Sequence, residues 1–266
     1  MKKASPFLKK LGIGLAWAVW TGSVLFIVQF ALSHLLSWLF SILPFTITSA
    51  VAQAIFSVLS YTLSILIIIE VPKRFKRQLK TTKSDLGLNE LPTWTDIGLS
   101  VAGLIAYVLL ASLFTAIFSV FPWFDASQTQ DVGFNTLFLA SDRIIAFLAI
   151  VIIAPIAEEL IFRGFLYQKV KNLFFRKSHE KPEKANRKST KKSEVIAIII
   201  ATFITSLTFG IMHGQWNVGV NVFAMSIVLC LLREITGSIY AGMLLHMVKN
   251  MIAFYLLYIA TIGFWW

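Results

Sequence analysis

Two adjacent carboxylates, Glu158 and Glu159, sit inside an apolar run, with Arg163 four residues beyond the second. On a helix, positions i and i+4 lie one above the other, so Glu159 and Arg163 can pair and neutralise each other. Glu158 is turned ~100° away from Glu159 and is left free to face a cavity. A carboxylate of that kind can take a proton from water when burial tunes its basicity upward. Pro155 in the same run has no N–H and leaves the carbonyl of Val151 without its helical partner. Two further groups complete the chemistry: His213, four residues after Phe209 at the end of one apolar stretch, and His246 with Asn250, four apart inside another. His213 beside Glu158 can help to hold a water. His246 and Asn250 share one helix face and present two convergent hydrogen-bond donors, the arrangement that receives the oxyanion of a tetrahedral intermediate.

Each feature also has a plainer reading. A Glu–Arg pair or a His/Asn face can simply join two helices in a membrane, and a histidine near a helix end can be a packing residue. His34 and His179 take that reading, one near the end of an apolar stretch and the other in a charged loop. Catalytic zinc uses three protein ligands and a water, so Glu158, His213 and His246 form a possible zinc set. Asn250 beside His246 suits an oxyanion site better than a ligand set, and neither metal nor cofactor is expected. The chain contains no His-Glu-x-x-His zinc motif, and no Gly-x-Ser-Gly or Gly-x-Gly-Asp. Charges deep in apolar helices also occur in proton relays and transporters, with Glu158, Glu159, His246 and Lys249 as candidates. No repeat relates the two halves of the chain, as many transporters would require.

The elements that must carry these residues are set by composition. Of 266 residues 57% are hydrophobic and only 14% charged, and the mean hydropathy is +0.77. A soluble domain has about 25% charged residues. The apolar runs cover residues 11–43, 46–71, 94–121, 142 onward through Pro155, 195–212, 218–232 and 239–262. They are read as membrane spans, since a hydrocarbon core needs about 20 apolar residues per helix. Lone helices satisfy their own backbone groups in lipid, so the fold expected is an all-α polytopic transmembrane bundle of seven or eight spans. An apolar stretch of that length at the N-terminus is too long for the core of a cleaved signal peptide. The single Cys230 permits no internal disulfide.

The three motifs, Glu158-Glu159-x-x-x-Arg163, Phe209-x-x-x-His213 and His246-x-x-x-Asn250, resemble in this order those of the CAAX prenyl protease and bacteriocin-processing family. That family is also called the type II CAAX endopeptidases or the Abi family. The resemblance covers residue 144 to the C-terminus. It implies an intramembrane endopeptidase in which Glu158 and His213 activate the water and His246 and Asn250 form the oxyanion hole. Glu159, Arg163 and Phe209 would support them. It implies a peptide or membrane-associated protein as substrate, delivered near the cytoplasmic side. The same family also contains bacteriocin self-immunity proteins that act by binding. On this basis residues 1–141 form an N-terminal helical part, and residues 142–266 the catalytic core with a Lys-rich loop at 176–194.

Net charge is +11, yet its placement argues for topology and not for nucleic acid. Lys2, Lys3, Lys9 and Lys10, with residues 73–83 and 169–192, hold 20 of the 24 Lys and Arg. The loop with Asp125 and Asp131 has none. By the positive-inside rule the N-terminus and the basic loops face the cytoplasm, and the 125–131 loop lies opposite. The expected location is the cell membrane, with lipid as a partner of the basic segments.

Overall fold

The computed structural model describes residues 5–76, 79–125, 127–128, 131, 133–134, 137, 139–175 and 187–260, without the side chains of 187–190. The basic stretch 176–186, with His179, and the last residues of the final apolar run lie outside the described residues. Helix α1 spans Pro6–Ser41, α2 Ser49–Phe75, α3 Lys83–Leu86 and α4 Trp94–Phe118. Helix α5 runs unbroken over Ala140–Phe174. It is followed by α6 (Arg187–Ile211), α7 (Trp216–Thr236) and α8 (Tyr240–Tyr258). Among the described residues there is no strand, and seven helices, all but α3, are long and apolar enough to cross a membrane. The fourth apolar segment is one 35-residue helix and hides no eighth crossing. Helix α6 begins at Arg187, so the end of the charged 176–194 stretch is helical and not loop.

Local chemistry explains the boundaries. Ser5 and Thr48 cap α1 and α2 by accepting the N–H of Leu8 and Val51. Thr82 with Asp85 and Thr93 with Asp96 form reciprocal capping boxes at α3 and α4, each satisfying two otherwise orphaned donors. Gly237, with φ of 71°, closes α7 in the left-handed conformation that costs a glycine nothing. Arg233 donates to the Gly237 carbonyl, and to that of Asp85 at 3.1 Å. It therefore ties the α7–α8 turn to α3.

One buried cluster unites the crossings, with Val24, Ile68, Tyr107, Phe165, Ile204, Leu229 and Leu245 supplied by seven different helices. The outer surface is also apolar, with Phe26, Phe30, Leu109, Phe203 and Ile235 exposed, as lipid-facing positions must be. Helices α6 and α7 form a close hairpin. A Cβ at Gly219 would stand 3.0 Å from the carbonyl oxygen of Gly210, and one at Gly210 would stand 2.8 Å from that of Gly219. Small residues at such a crossing let backbones approach where water gives no driving force. Gly219→Val should force this hairpin apart and lower the melting temperature in detergent, whereas Gly12→Ala, in open space, should not. Thermal unfolding of the two purified variants checks the contrast.

Candidate active site

Helix α5 carries the carboxylates and departs from α-helical geometry on both sides of them. Residues Leu148–Ile153 and Leu160–Tyr167 are π-helical, and the N–H of Ala154 reaches the carbonyl of Ala149. Pro155 opens the α-helical stretch that follows. The Ile150 carbonyl is taken by Asn250, whose Nδ2 donates to it at 2.9 Å. An acceptor in the turn before the proline thus anchors Asn250.

Glu159 and Arg163 form the expected pair, Nη1 to Oε1 at 2.9 Å, and both side chains are fully buried. The guanidinium lies 4.4 Å from the ring centre of Phe209, a cation–π contact in a water-poor site. His246 joins the pair, with Nδ1 donating to the same Glu159 oxygen at 3.2 Å. Gly242, one turn before His246, makes the approach possible: a Cβ there would stand 3.1 Å from Glu159 Oε2. Glu158 points elsewhere, as the helical offset requires, and lines a cavity of about 650 Å³ together with His213, His246, Lys249 and Asn250.

Within the cavity Glu158 is not isolated. Its side chain is 15% exposed and its Oε2 lies 3.7 Å from Nε2 of His246. Its Oε1 accepts the hydroxyl of Tyr61 at 2.5 Å. Tyr61 comes from the middle of α2, in the part of the chain that carries no recognised motif. A signal for it did exist in the sequence. Gln53, Ser57, Ser60, Tyr61 and Ser64 fall at helical spacing on one face of an otherwise apolar span, and the first four line the cavity.

His213 lies in the turn after α6, yet its ring reaches back along the helix, with Nδ1 donating to the Phe209 carbonyl at 2.8 Å. That bond fixes the proton on Nδ1 and leaves the Nε2 lone pair available. The turn and the middle of α5 therefore contribute to one cavity, although eighteen residues of helix separate His213 from Val195. Phe209 is the hub of the cluster. Its ring centre lies 4.7 Å from that of Phe162, 4.9 Å from His213 and 6.0 Å from His246. Lys249 interacts electrostatically with Glu158. His34 bonds only within α1, to the Phe30 carbonyl. Among the described residues no three His, Cys, Asp or Glu are grouped to hold a metal ion. Glu158, His213 and His246 share the cavity without forming a ligand set.

A seven-crossing helical bundle with a buried carboxylate–imidazole–amide cluster is a multi-pass membrane protein with the groups for hydrolysis at its centre. Residues 140–252 match the family of type II CAAX prenyl endopeptidases, Rce1-like. The match begins with α5, ends within α8 and contains all three motifs. The segment that bears the site is therefore similar to the type II CAAX prenyl endopeptidases, and the whole is a multi-pass helical membrane protein. No curated protein and no solved structure matches the chain.

The two neighbouring carboxylates should respond oppositely to removal. Glu159→Ala leaves the Arg163 guanidinium buried without its counter-ion, a loss of about 3–5 kcal/mol, and should sharply reduce thermal stability and membrane abundance. Glu158→Gln keeps an acceptor for Tyr61 and should melt close to wild type. A collapse of Glu158→Gln with a stable Glu159→Ala would reverse the two roles.

Proposed function

We propose that the protein is an intramembrane glutamic endopeptidase. The observation that carries this reading is the division of labour between neighbouring carboxylates: Glu159 is neutralised by Arg163 and His246, while Glu158 faces the cavity. Glu158 takes a proton from a water whose oxygen attacks the scissile carbonyl carbon, and the Nε2 lone pair of His213 orients that water. The oxyanion that forms meets the second N–H of the Asn250 amide, the first being fixed on Ile150. His246 can donate beside it only as the imidazolium, because Nδ1–H is already directed to Glu159 and Nε2 must then carry its own proton. That form also suits the 3.7 Å approach of Nε2 to Glu158, where two lone pairs would otherwise face each other. Breakdown of the intermediate returns the Glu158 proton to the leaving amine. Tyr61 holds the carboxylate in place throughout. Lys249 lines the same cavity as Glu158.

A peptide or protein segment is the substrate class, and lipid surrounds the bundle. A binding protein with the same fold, such as an immunity protein, would need the cavity but not the Glu158 proton. Comparing the peptides of membranes that carry wild type or Glu158→Gln separates the two readings. A set of cleavage products should vanish in the variant, and Asn250→Ala should slow their appearance by about 10²–10³, the cost of one oxyanion donor. Identical peptide sets would leave only the binding function.

The same turnover should survive prolonged treatment with a strong zinc chelator. Loss of activity with recovery on added zinc would instead make His213 and His246 metal ligands.

A further inference from the structure

Among the described residues, the cavity is lined toward one end of the bundle, and chain topology identifies that end. Seven crossings alternate in direction. The starts of α2, α5 and α7 therefore share a face with the ends of α1, α4, α6 and α8. Away from the catalytic cluster the cavity is lined from this face. Gln53 and Ser57 come from the first turns of α2, Asp131 precedes α5, Gln215 lies in the α6–α7 turn and Tyr258 ends α8. The rim is tied together across elements: the N–H of Asp131 donates to Gln215 Oε1 at 2.9 Å, and the Tyr258 hydroxyl donates to the Phe134 carbonyl at 2.7 Å. Among the described residues of the connections on the opposite face, 76, 79–93, 175 and 237–239, none contributes a lining residue.

Charge distinguishes the two faces. The connections on the cavity side, residues 42–48, 119–139 and 212–215, contain no Lys or Arg. The described basic residues Lys9, Lys10, Lys73, Arg74, Lys76, Lys80, Lys83, Lys169 and Lys171 lie toward the other face, at the start of α1, the end of α2, the connection that follows it and the end of α5. Cytoplasmic loops carry the excess of Lys and Arg, and each such residue near an anionic leaflet adds about 1 kcal/mol of attraction. The basic face is thus the cytoplasmic one.

We infer that the substrate reaches Glu158 from the extracytoplasmic side, as an exported polypeptide or the outward-facing juxtamembrane segment of a membrane protein. Delivery from the cytoplasm, expected from the sequence, would bring a peptide to the end from which no described connection lines the cavity. A prenylated cytoplasmic tail is then not the substrate. The inference rests on the endopeptidase reading for what happens in the cavity, but the direction of access is measurable without turnover.

Single cysteines at Gln53 and Gln215, which line the rim outside the catalytic cluster, and at Lys80 on the opposite face are introduced into a Cys230→Ser background. Intact cells are then treated with a membrane-impermeant maleimide. Gln53→Cys and Gln215→Cys should label before permeabilisation and Lys80→Cys only after it. The reverse pattern overturns the inference, as do rim cysteines that stay unreactive even in permeabilised cells. In parallel, peptides of the medium and cell surface are compared with cytosolic peptides for wild type and Glu158→Gln. Products that depend on Glu158 should be confined to the external fraction, and their appearance in the cytosol overturns the direction of access. Outward labelling with no product difference in either fraction would leave the access route standing and remove the protease.

Discussion

Arg163 is the largest fully buried side chain of the bundle, and much of the site follows from the need to satisfy it. A guanidinium cannot be deprotonated to escape a low-dielectric interior, so its charge must be met locally. Glu159 meets it from one turn away, the face of Phe209 covers it, and the His246 imidazole shares the carboxylate oxygen. These three partners sit on α5, α6 and α8. The ion pair therefore fixes the mutual register of the helices that carry the motifs. Its contribution is geometric more than energetic, since desolvation consumes most of the Coulombic gain of a buried pair. What remains is a rigid frame in which Glu158, one residue away, has nowhere to point but the cavity.

The π-helical stretches of α5 serve the same end. A regular helix would rotate the residues upstream of the carboxylates. The wider register runs through Ile150, whose carbonyl Asn250 meets. A backbone acceptor and a site residue thus satisfy each other, and two helices are locked without a further charge. Insertions of this kind are frequent at functional sites because they re-aim one face of a helix without breaking it.

Much of this was legible in the residues. The apolar runs pointed to seven or eight crossings, because lipid leaves the backbone no alternative to helix, and seven helices are long and apolar enough among the described residues. The i, i+4 spacing fixed the Glu159–Arg163 pair and the separate direction of Glu158. The role of Phe209 as a hub was not legible, because an aromatic ring on an apolar helix has no spacing signature that separates a hub from ordinary packing. The bond of Asn250 to the Ile150 carbonyl was not legible either, because local pattern carries no sign of the π register beside it. Tyr61 was missed for another reason. Its polar stripe is visible at helical spacing, but partnership with a residue 97 positions away needs the fold. His213, beyond the end of α6, shares a cavity with mid-helix Glu158 because its ring reaches back to the Phe209 carbonyl and the cavity extends to the end of the bundle where α6 finishes.

Hydrolysis within a bilayer needs water where the surrounding phase excludes it, and this constraint explains why the N-terminal helices are part of the site. The residues of α5 to α8 supply the reacting groups but enclose them largely in apolar side chains, among them Phe162, Phe209, Met225 and Phe254. The polar wall comes from elsewhere, from Gln29 on α1 and from Gln53, Ser57, Ser60 and Tyr61 on α2. Such groups offer a water the two to four partners that it needs in a confined space. Their line along α2 runs from the bundle end down to the hydroxyl that touches Glu158. In the proposed mechanism the segment without a family motif thus builds the path by which the nucleophile arrives, and the segment with the motifs uses it.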